Sequence, residues 1–121
     1  MITKLAESEG ATLGLEVSGK IDLIEEKKWI GIVETLIQEH DRINILVVRG
    51  GKLGYEFKAA YEDLKWTFKH LKHIHKIAIV SESNVLAALV AMDSPFAQTV
   101  GISEKHFKTS NLQDAWQWVN A

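Results

Sequence analysis

The sequence predicts an α/β domain in which about five mostly parallel strands, with an antiparallel edge hairpin, are flanked by four helices. Short runs rich in β-branched residues alternate with longer stretches whose apolar residues recur at helical spacing. Two of these runs, Ile43 to Val48 and Ile77 to Val80, are almost entirely apolar, as is typical of parallel strands covered on both faces. The 121 residues contain one proline and no linker-like stretch, so we expect residues 1–121 to form a single domain.

The beginning of the chain predicts a hairpin followed by a helix. Residues 2–6 suit a short edge strand, and residues 11–21 alternate between apolar and polar with the period of a half-buried strand. The polar residues 7–10 form the connection between them. Asp22, with Glu25 three residues later, forms a capping box, and apolar residues at helical spacing extend this first helix to about His40.

The middle of the chain predicts a central strand, a loop, a second helix and another strand. The strand from Ile43 to Val48 is followed by a glycine-rich loop over residues 49–54. Apolar residues then recur at the spacing of one helical stripe, which predicts an amphipathic helix over about residues 59–71. The strand from Ile77 to Val80 follows it.

The end of the chain predicts a third helix, a short strand and a last helix. Ser83 caps the third helix, which runs to about Met92, where residues 93–96 end it. The short strand runs from Lys105 to Lys108, and Ser110 with Gln113 opens the last helix. One face of that helix carries its apolar residues, namely Leu112, Ala115, Trp116 and Val119.

The composition excludes several classes of protein. With 14 basic and 16 acidic residues the formal charge is −2, and no basic stretch suggests a nucleic-acid partner. The absence of cysteine excludes disulfides, thiol catalysis and thiolate metal sites. The N-terminal residues do not resemble a secretory signal, and the apolar runs are shorter than a membrane span. We therefore expect a cytoplasmic protein.

Two motifs invite a chemical interpretation. His70, His73 and His75 lie close together, and on a helix His70 and His73 would be neighbours, as in a metal pair. Lysines surround them and no cysteine is available, which favours a solvated helix end and no metal site. The loop at residues 49–54 follows a strand, where phosphates often bind, but it lacks both glycine fingerprints and suits a plain turn.

The third predicted helix is the most informative segment. Residues 85–92 are apolar almost all round, whereas a surface helix normally has a polar face. Such a patch marks a partner, ligand or membrane site, unless the alanine-rich side is tolerated at the surface or covered by a partner subunit. Trp66 and Trp118 lie off the apolar stripes of their helices, where indoles suit interfaces but are also common as isolated exposed residues.

Three segments of the sequence carry a resemblance to a known family. The segments Val17–Asp22, Ala59–Lys65 and His70–Val80, in this order of elements, resemble the SpoIIAA-like family of small bacterial proteins. That family is related to STAS domains and, more distantly, to the CRAL-TRIO lipid-binding fold. The resemblance covers nearly the whole chain and implies a largely parallel sheet flanked by four helices.

The resemblance also implies what the protein does. Anti-sigma-factor antagonists of this kind depend on a phosphorylatable serine after the central strand, but residues 49–58 contain no Ser or Thr, so that switch does not carry over. The SpoIIAA-like subfamily implies association with membranes or apolar ligands through two amphipathic helices that shift between closed and open positions. In this chain those helices correspond to residues 59–71 and 84–92.

We therefore expect a non-enzymatic module, without a cofactor, that binds an apolar or amphipathic lipid-like molecule or the surface of a membrane. The residues expected to make these contacts are Tyr61, Leu64, Trp66, Phe68, Leu86, Leu89, Val90, Met92 and Phe96. Lys65, Lys69 and Lys72 are expected to meet anionic headgroups. The alternative is a STAS-like protein-interaction module whose apolar helix docks a partner or a second copy in a homodimer, and an enzyme is a third hypothesis.

Overall fold

The computed structural model describes residues 1–18, 22–49 and 73–121. The five strands are β1 (Ile2–Lys4), β2 (Thr12–Val17), β3 (Ile43–Arg49), β4 (Ile74–Val80) and β5 (Ser103–Phe107). The helices in the described ranges are α1 (Leu23–His40), α2 (Asn84–Thr99) and α3 (Leu112–Asn120), the last preceded by a 3-10 turn (Thr109–Asn111). The predicted helix over residues 59–71 and the predicted loop beyond Arg49 lie outside the described residues.

The five strands form one sheet whose spatial order, β1-β2-β3-β4-β5, is the order of the chain. The pair β1 and β2 is antiparallel, and β2 through β5 are parallel. The predicted mixed sheet with an antiparallel edge is therefore confirmed. The connections through α1 and α2 advance in the same direction across the sheet, so the right-handed crossover rule places both helices on one face.

The sheet separates two cores. On what we call the first face, aliphatic residues of β2, β3 and β4 pack beneath α1 and α2, and Trp29, Val33, Leu86 and Val90 complete this core from the helices. On the second face, Leu46, Ala78 and Val80 pack against α3. The alternation of Ile45 and Leu46 between the two cores is the period-two pattern of a strand buried on both sides.

Two tryptophans extend the coverage that the nine-residue helix α3 gives to the second face. The Trp116 ring lies against Gly14 of β2, so close that a Cβ atom built there would be 2.4 Å from the ring. The Trp118 ring meets Phe107 of β5 at 5.8 Å between centroids. The indoles thus cover strands on either side of Ala115 and Val119, the completely buried residues of the helix.

Helix α1 begins and ends as predicted. The side chain of Asp22 accepts a hydrogen bond of 2.7 Å from the main-chain N–H of Glu25, and the helix runs to His40. The Glu25 carboxylate accepts instead from the main-chain N–H of Ile2, so it joins α1 to the edge strand rather than closing a reciprocal capping box.

The predicted end of the third helix at residues 93–96 is wrong, because α2 continues through Pro95 to Thr99. Pro95 cannot donate to the carbonyl of Ala91, but Ala97 beyond it is fully buried in the core of the first face. The helix ends where Gly101 adopts φ 86° and the N–H of Ile102 donates to the carbonyl of Ala97. This is a Schellman motif, and both of these apolar residues are buried.

Other boundaries also differ from the prediction. Strand β4 begins at Ile74, before the predicted start at Ile77, and has a register shift at its start, so His75 lies in a strand and His73 in the turn just before it. The last helix starts at Leu112 after a 3-10 turn, and its N-cap residue, Asn111, makes no side-chain capping bond, so the predicted role of Ser110 is wrong. The shared apolar face of this helix is confirmed.

Candidate binding surface on α2

The predicted contact residues fall into two groups. One group, from the predicted second helix, lies outside the described residues and consists of Tyr61, Leu64, Trp66 and Phe68 together with Lys65, Lys69 and Lys72. The other group lies on α2, which Ser83 caps as predicted by accepting a hydrogen bond from the N–H of Leu86 at 3.2 Å. What the structure shows about the site therefore comes from α2.

Helix α2 places its predicted contact residues in different environments. Leu86 is 2 % exposed and Val90 is equally buried, so both belong to the core of the first face, and Leu89 is half-buried beside them. Met92 is 71 % exposed and Phe96 is 70 % exposed. Contact between a ligand and Leu86 or Val90 stays a prediction that requires α2 to move, whereas Met92 and Phe96 are already accessible.

Val100, which follows the last residue of α2, is 57 % exposed. Met92, Phe96 and Val100 together form what we call the apolar stripe. They are spaced at i, i+4 and i+8 and so lie on one side of the helix. The only ionisable side chain in the sequence of α2 is that of Asp93, which is half-buried. Large apolar residues exposed on a helix with a single ionisable side chain are typical of a contact with something other than water.

No helix in the described ranges has both the length and the hydropathy needed to cross a membrane.

The opposite flank of α2 borders a groove of about 510 Å³ next to β5. Small helix residues, among them Ala87, Ala91 and Ser94, leave this space open, and Glu104, Lys105 and His106 line it from the strand. The Ser94 hydroxyl donates to the main-chain carbonyl of Glu104 at 3.3 Å, which ties the helix to the strand at this point.

Edge strand β5 brings polar groups to the first face. Its register aligns Glu104 with Ile77 and His106 with Ile79, so both polar residues occupy positions that are aliphatic in the neighbouring strand. Sequence reasoning missed them because alternating charged residues in a five-residue strand are also typical of a solvated edge. The alanines of α2 are the feature of the sequence that could have indicated the groove, since small residues on a helix leave room beside it.

A histidine–serine pair joins the ends of β4 and β5. His106 Nε2 lies 2.8 Å from Ser81 Oγ, and this serine is 1 % exposed. Burial lowers the pKa of His106 below its ordinary value, while a hydrogen bond to the main chain of Ser81 and the charge of Glu82 act in the opposite direction. The imidazole is therefore neutral at pH 7, and the buried serine hydroxyl is not accessible as a nucleophile.

The two histidines of the predicted cluster that the structure describes, His73 and His75, do not line this groove. His75 is half-buried in β4, where burial and the charges of Arg42 and Lys76 lower its pKa. His73 Nδ1 lies 3.7 Å from the carboxylate of Asp41, and His70 is outside the described residues. Within the described ranges, no three His, Cys, Asp or Glu side chains come together in a way that would hold a metal ion.

The expectation that Trp118 points an indole toward water is wrong, because the ring is half-buried between two neighbours. Besides its contact with Phe107, it carries the ammonium of Lys76 at 5.3 Å from the ring centroid. The same ammonium donates to the main-chain carbonyl of Trp118 at 2.9 Å. Trp118 therefore packs against the core of the second face, whereas α2 carries Met92 and Phe96 as accessible apolar side chains, as the start of α1 carries Leu23 and Ile24.

Comparisons with known proteins agree with this fold. The sequence profile of the SpoIIAA-like family matches residues 12–120. Among solved structures, the chain is similar to an uncharacterised protein of the DUF3478 family with a SpoIIAA-like fold from Shewanella loihica. The identity is 21 %, the TM-score is 0.65, and the alignment covers 98 % of this chain and 93 % of the other. No functionally curated protein matches the chain.

Proposed function

The chain belongs to the SpoIIAA-like family, and from this premise we propose that it is a non-enzymatic, STAS-like binding module that docks on a lipid surface or an amphipathic, lipid-like molecule through α2. The fold is one that generally serves regulation and binding rather than catalysis. The observation that carries the proposal is the exposed apolar stripe on a helix whose only ionisable side chain is Asp93.

The physical basis of the proposed contact is the burial of side chains that are exposed in the free protein. Met92 and Phe96 each leave about 70 % of their side-chain area in water. Removing a large apolar side chain from water contributes roughly 1.5–3 kcal/mol. Insertion of the stripe into the headgroup region is thus sufficient for weak, reversible peripheral attachment. The sequence-derived partners Lys65, Lys69 and Lys72 remain part of the proposal as contacts for anionic headgroups.

The same surface supports a second candidate, the docking of a partner protein or a second copy of the chain. What favours it is the row of small exposed residues along α2, including Ala88 and Ala91, which permits close approach of another backbone. We keep the lipid surface as the main proposal because the large residues of the stripe project beyond that row.

Vesicle flotation tests the proposal. The wild-type chain and the double variant Met92→Ser, Phe96→Ser are each mixed with phosphatidylethanolamine–phosphatidylglycerol vesicles at low salt. The variant Ile24→Ser is a matched control, because Ile24 is 82 % exposed on α1, away from the stripe. We expect the wild type and the control to float with the vesicles and the double variant to stay in solution.

Two results would contradict the proposal. If the wild type fails to float and native mass spectrometry detects no bound lipid, the lipid interpretation is wrong. If the wild type is instead a dimer in sedimentation velocity that the double variant dissociates, the stripe is a protein interface and the second candidate takes its place.

A further inference from the structure

A chain of hydrogen bonds links His106 to the first turn of α2. His106 Nε2 lies 2.8 Å from Ser81 Oγ, and the same oxygen accepts from the main-chain N–H of Ser83 at 3.3 Å. Ser83 Oγ in turn accepts from the N–H of Leu86, the first core residue of the helix. A titratable ring is thus connected through two serines to the N-terminus of the helix that carries the apolar stripe.

The geometry favours the neutral imidazole. When the ring proton is on Nδ1, Nε2 accepts the hydroxyl hydrogen of Ser81, and the oxygen of that hydroxyl still accepts the N–H of Ser83. In the imidazolium form Nε2 also carries a proton and becomes a donor, so the hydroxyl hydrogen of the buried serine must find another acceptor. Protonation therefore reverses the hydrogen bond between His106 and Ser81 Oγ, the same oxygen that accepts the N–H of the cap residue Ser83.

The electrostatic surroundings add to this effect. The N-terminus of α2 carries the positive end of the helix dipole, which disfavours a cation nearby. The groove-lining residues of α2 bring no charge, whereas β5 contributes Glu104 and Lys105 and the β4–α2 connection contributes Glu82. Burial is the largest influence on the pKa of His106 and lowers it, against the opposing effects of a hydrogen bond to the main chain of Ser81 and of the charge of Glu82.

We propose that His106 is a proton-sensitive latch that holds the N-terminal turn of α2 on the sheet when neutral and releases it when protonated. This inference rests on the proposed function, since release of this turn changes how the apolar stripe is presented. The neutral ring favours the docked helix, so docking is fully stabilised above the ordinary histidine pKa. It weakens as the pH falls from about 6.5 toward the lower pKa of the docked state.

Hydrogen exchange of the α2 amides tests the latch. Exchange of residues 84–90 is measured at pH 7.5 and 5.5, corrected for intrinsic rates, in the wild type, in His106→Gln and in His75→Gln. His75 is the control because its pKa is also lowered but it lies at the other end of β4. We expect opening of the first turn to increase by up to ~10-fold for each unit between the two pKa values of His106. The change should persist in His75→Gln and vanish in His106→Gln.

Other outcomes would overturn the latch. Equal protection of these amides at both pH values in the wild type, or an undiminished change in His106→Gln, contradicts it. If His106→Gln does not fold, the wild-type protein is titrated by NMR, and the α2 amides must titrate with the midpoint of the His106 ring for the latch to stand. Flotation at pH 7.5 is scored separately, so a failure to bind vesicles counts against the proposed function and not against the latch.

Discussion

The two faces of the sheet are closed in different ways. On the second face, α3 has only nine residues, and its flanking indoles seal the space beside it. On the first face, α2 has sixteen residues, but small side chains leave a groove beside β5, and large apolar ones project into water. The comparison teaches that helix length does not decide how well a sheet is covered. Among the described residues, the face with the longer helix is the one that keeps an open groove and exposed apolar side chains.

The largest effect should be a difference in the free energy of unfolding between a variant on the buried side of α2 and one in the apolar stripe. Leu86→Ala deletes a fully buried side chain and should lower the free energy of unfolding by ~2–5 kcal/mol. Met92→Ala removes an exposed side chain and should change it by less than ~0.5 kcal/mol. Urea denaturation of both variants measures this difference. Similar losses in the two variants would mean that Met92 is part of the core.

The next largest effect should come from disturbing the contact between Trp116 and β2 on the second face. Gly14→Ala places a Cβ 2.4 Å from the Trp116 ring, so the ring must move, at a cost of ~1–3 kcal/mol. Gly31→Ala is the control, because Gly31 lies inside α1 with open space around it and should stabilise the protein by ~0.5–1 kcal/mol. Thermal unfolding should therefore shift in opposite directions. An unchanged melting temperature for Gly14→Ala would show that the indole is not fixed against β2.

A smaller effect should come from the cation on the same face. Lys76→Met keeps the apolar stem but removes the charged donor to the Trp118 carbonyl, which should cost ~1–2 kcal/mol. Lys28→Met is the comparison, since the Lys28 ammonium lies 5.5 Å from the Trp29 ring and contributes at most ~1 kcal/mol at an exposed site. Chemical denaturation distinguishes them. Equal losses would mean that the carbonyl contact adds nothing to the ring contact.

The smallest effect should appear as a dependence of stability on pH. The pKa values of His75 and His106 lie below the ordinary value of 6.5, so the unfolded chain binds more protons than the native one just below that pH. Stability is then fully present above pH 6.5 and decreases as the pH falls through the window beneath it. Urea midpoints at pH 7.5 and 5.5 measure the decrease, which His75→Gln and His106→Gln should each reduce. A stability that rises on acidification would contradict both pKa directions.

The sequence predicts what local chemistry decides. Asp22 and Ser83 cap their helices as expected because a capping bond involves residues only three positions apart. The predicted end of α2 is wrong because the helix is extended by the burial of Ala97 and Ile102, which depends on tertiary packing. This burial outweighs the local tendency of Pro95 to end a helix.

The same distinction explains the candidate site. The unusual apolar content of residues 85–92 pointed to α2, but which side chains face the sheet depends on how the helix is docked. Leu86 and Val90 consequently turned out to be core, while Met92 and Phe96 are exposed. The pair of Ser81 and His106 had no signal, because their residues are 25 positions apart and meet only where β4 lies beside β5.

The agreement between strand order and chain order has a consequence for how the molecule assembles. Each strand finds its partner in the strand that precedes it along the chain, so no pairing has to wait for a distant segment and none has to be inserted between two strands already joined. Each parallel pair still has to close a loop of about thirty residues, so these pairings are slower to form than the antiparallel hairpin of β1 and β2. During synthesis the sheet can therefore grow in one direction, from β1 to β5, with the most recently made strand always forming the open edge.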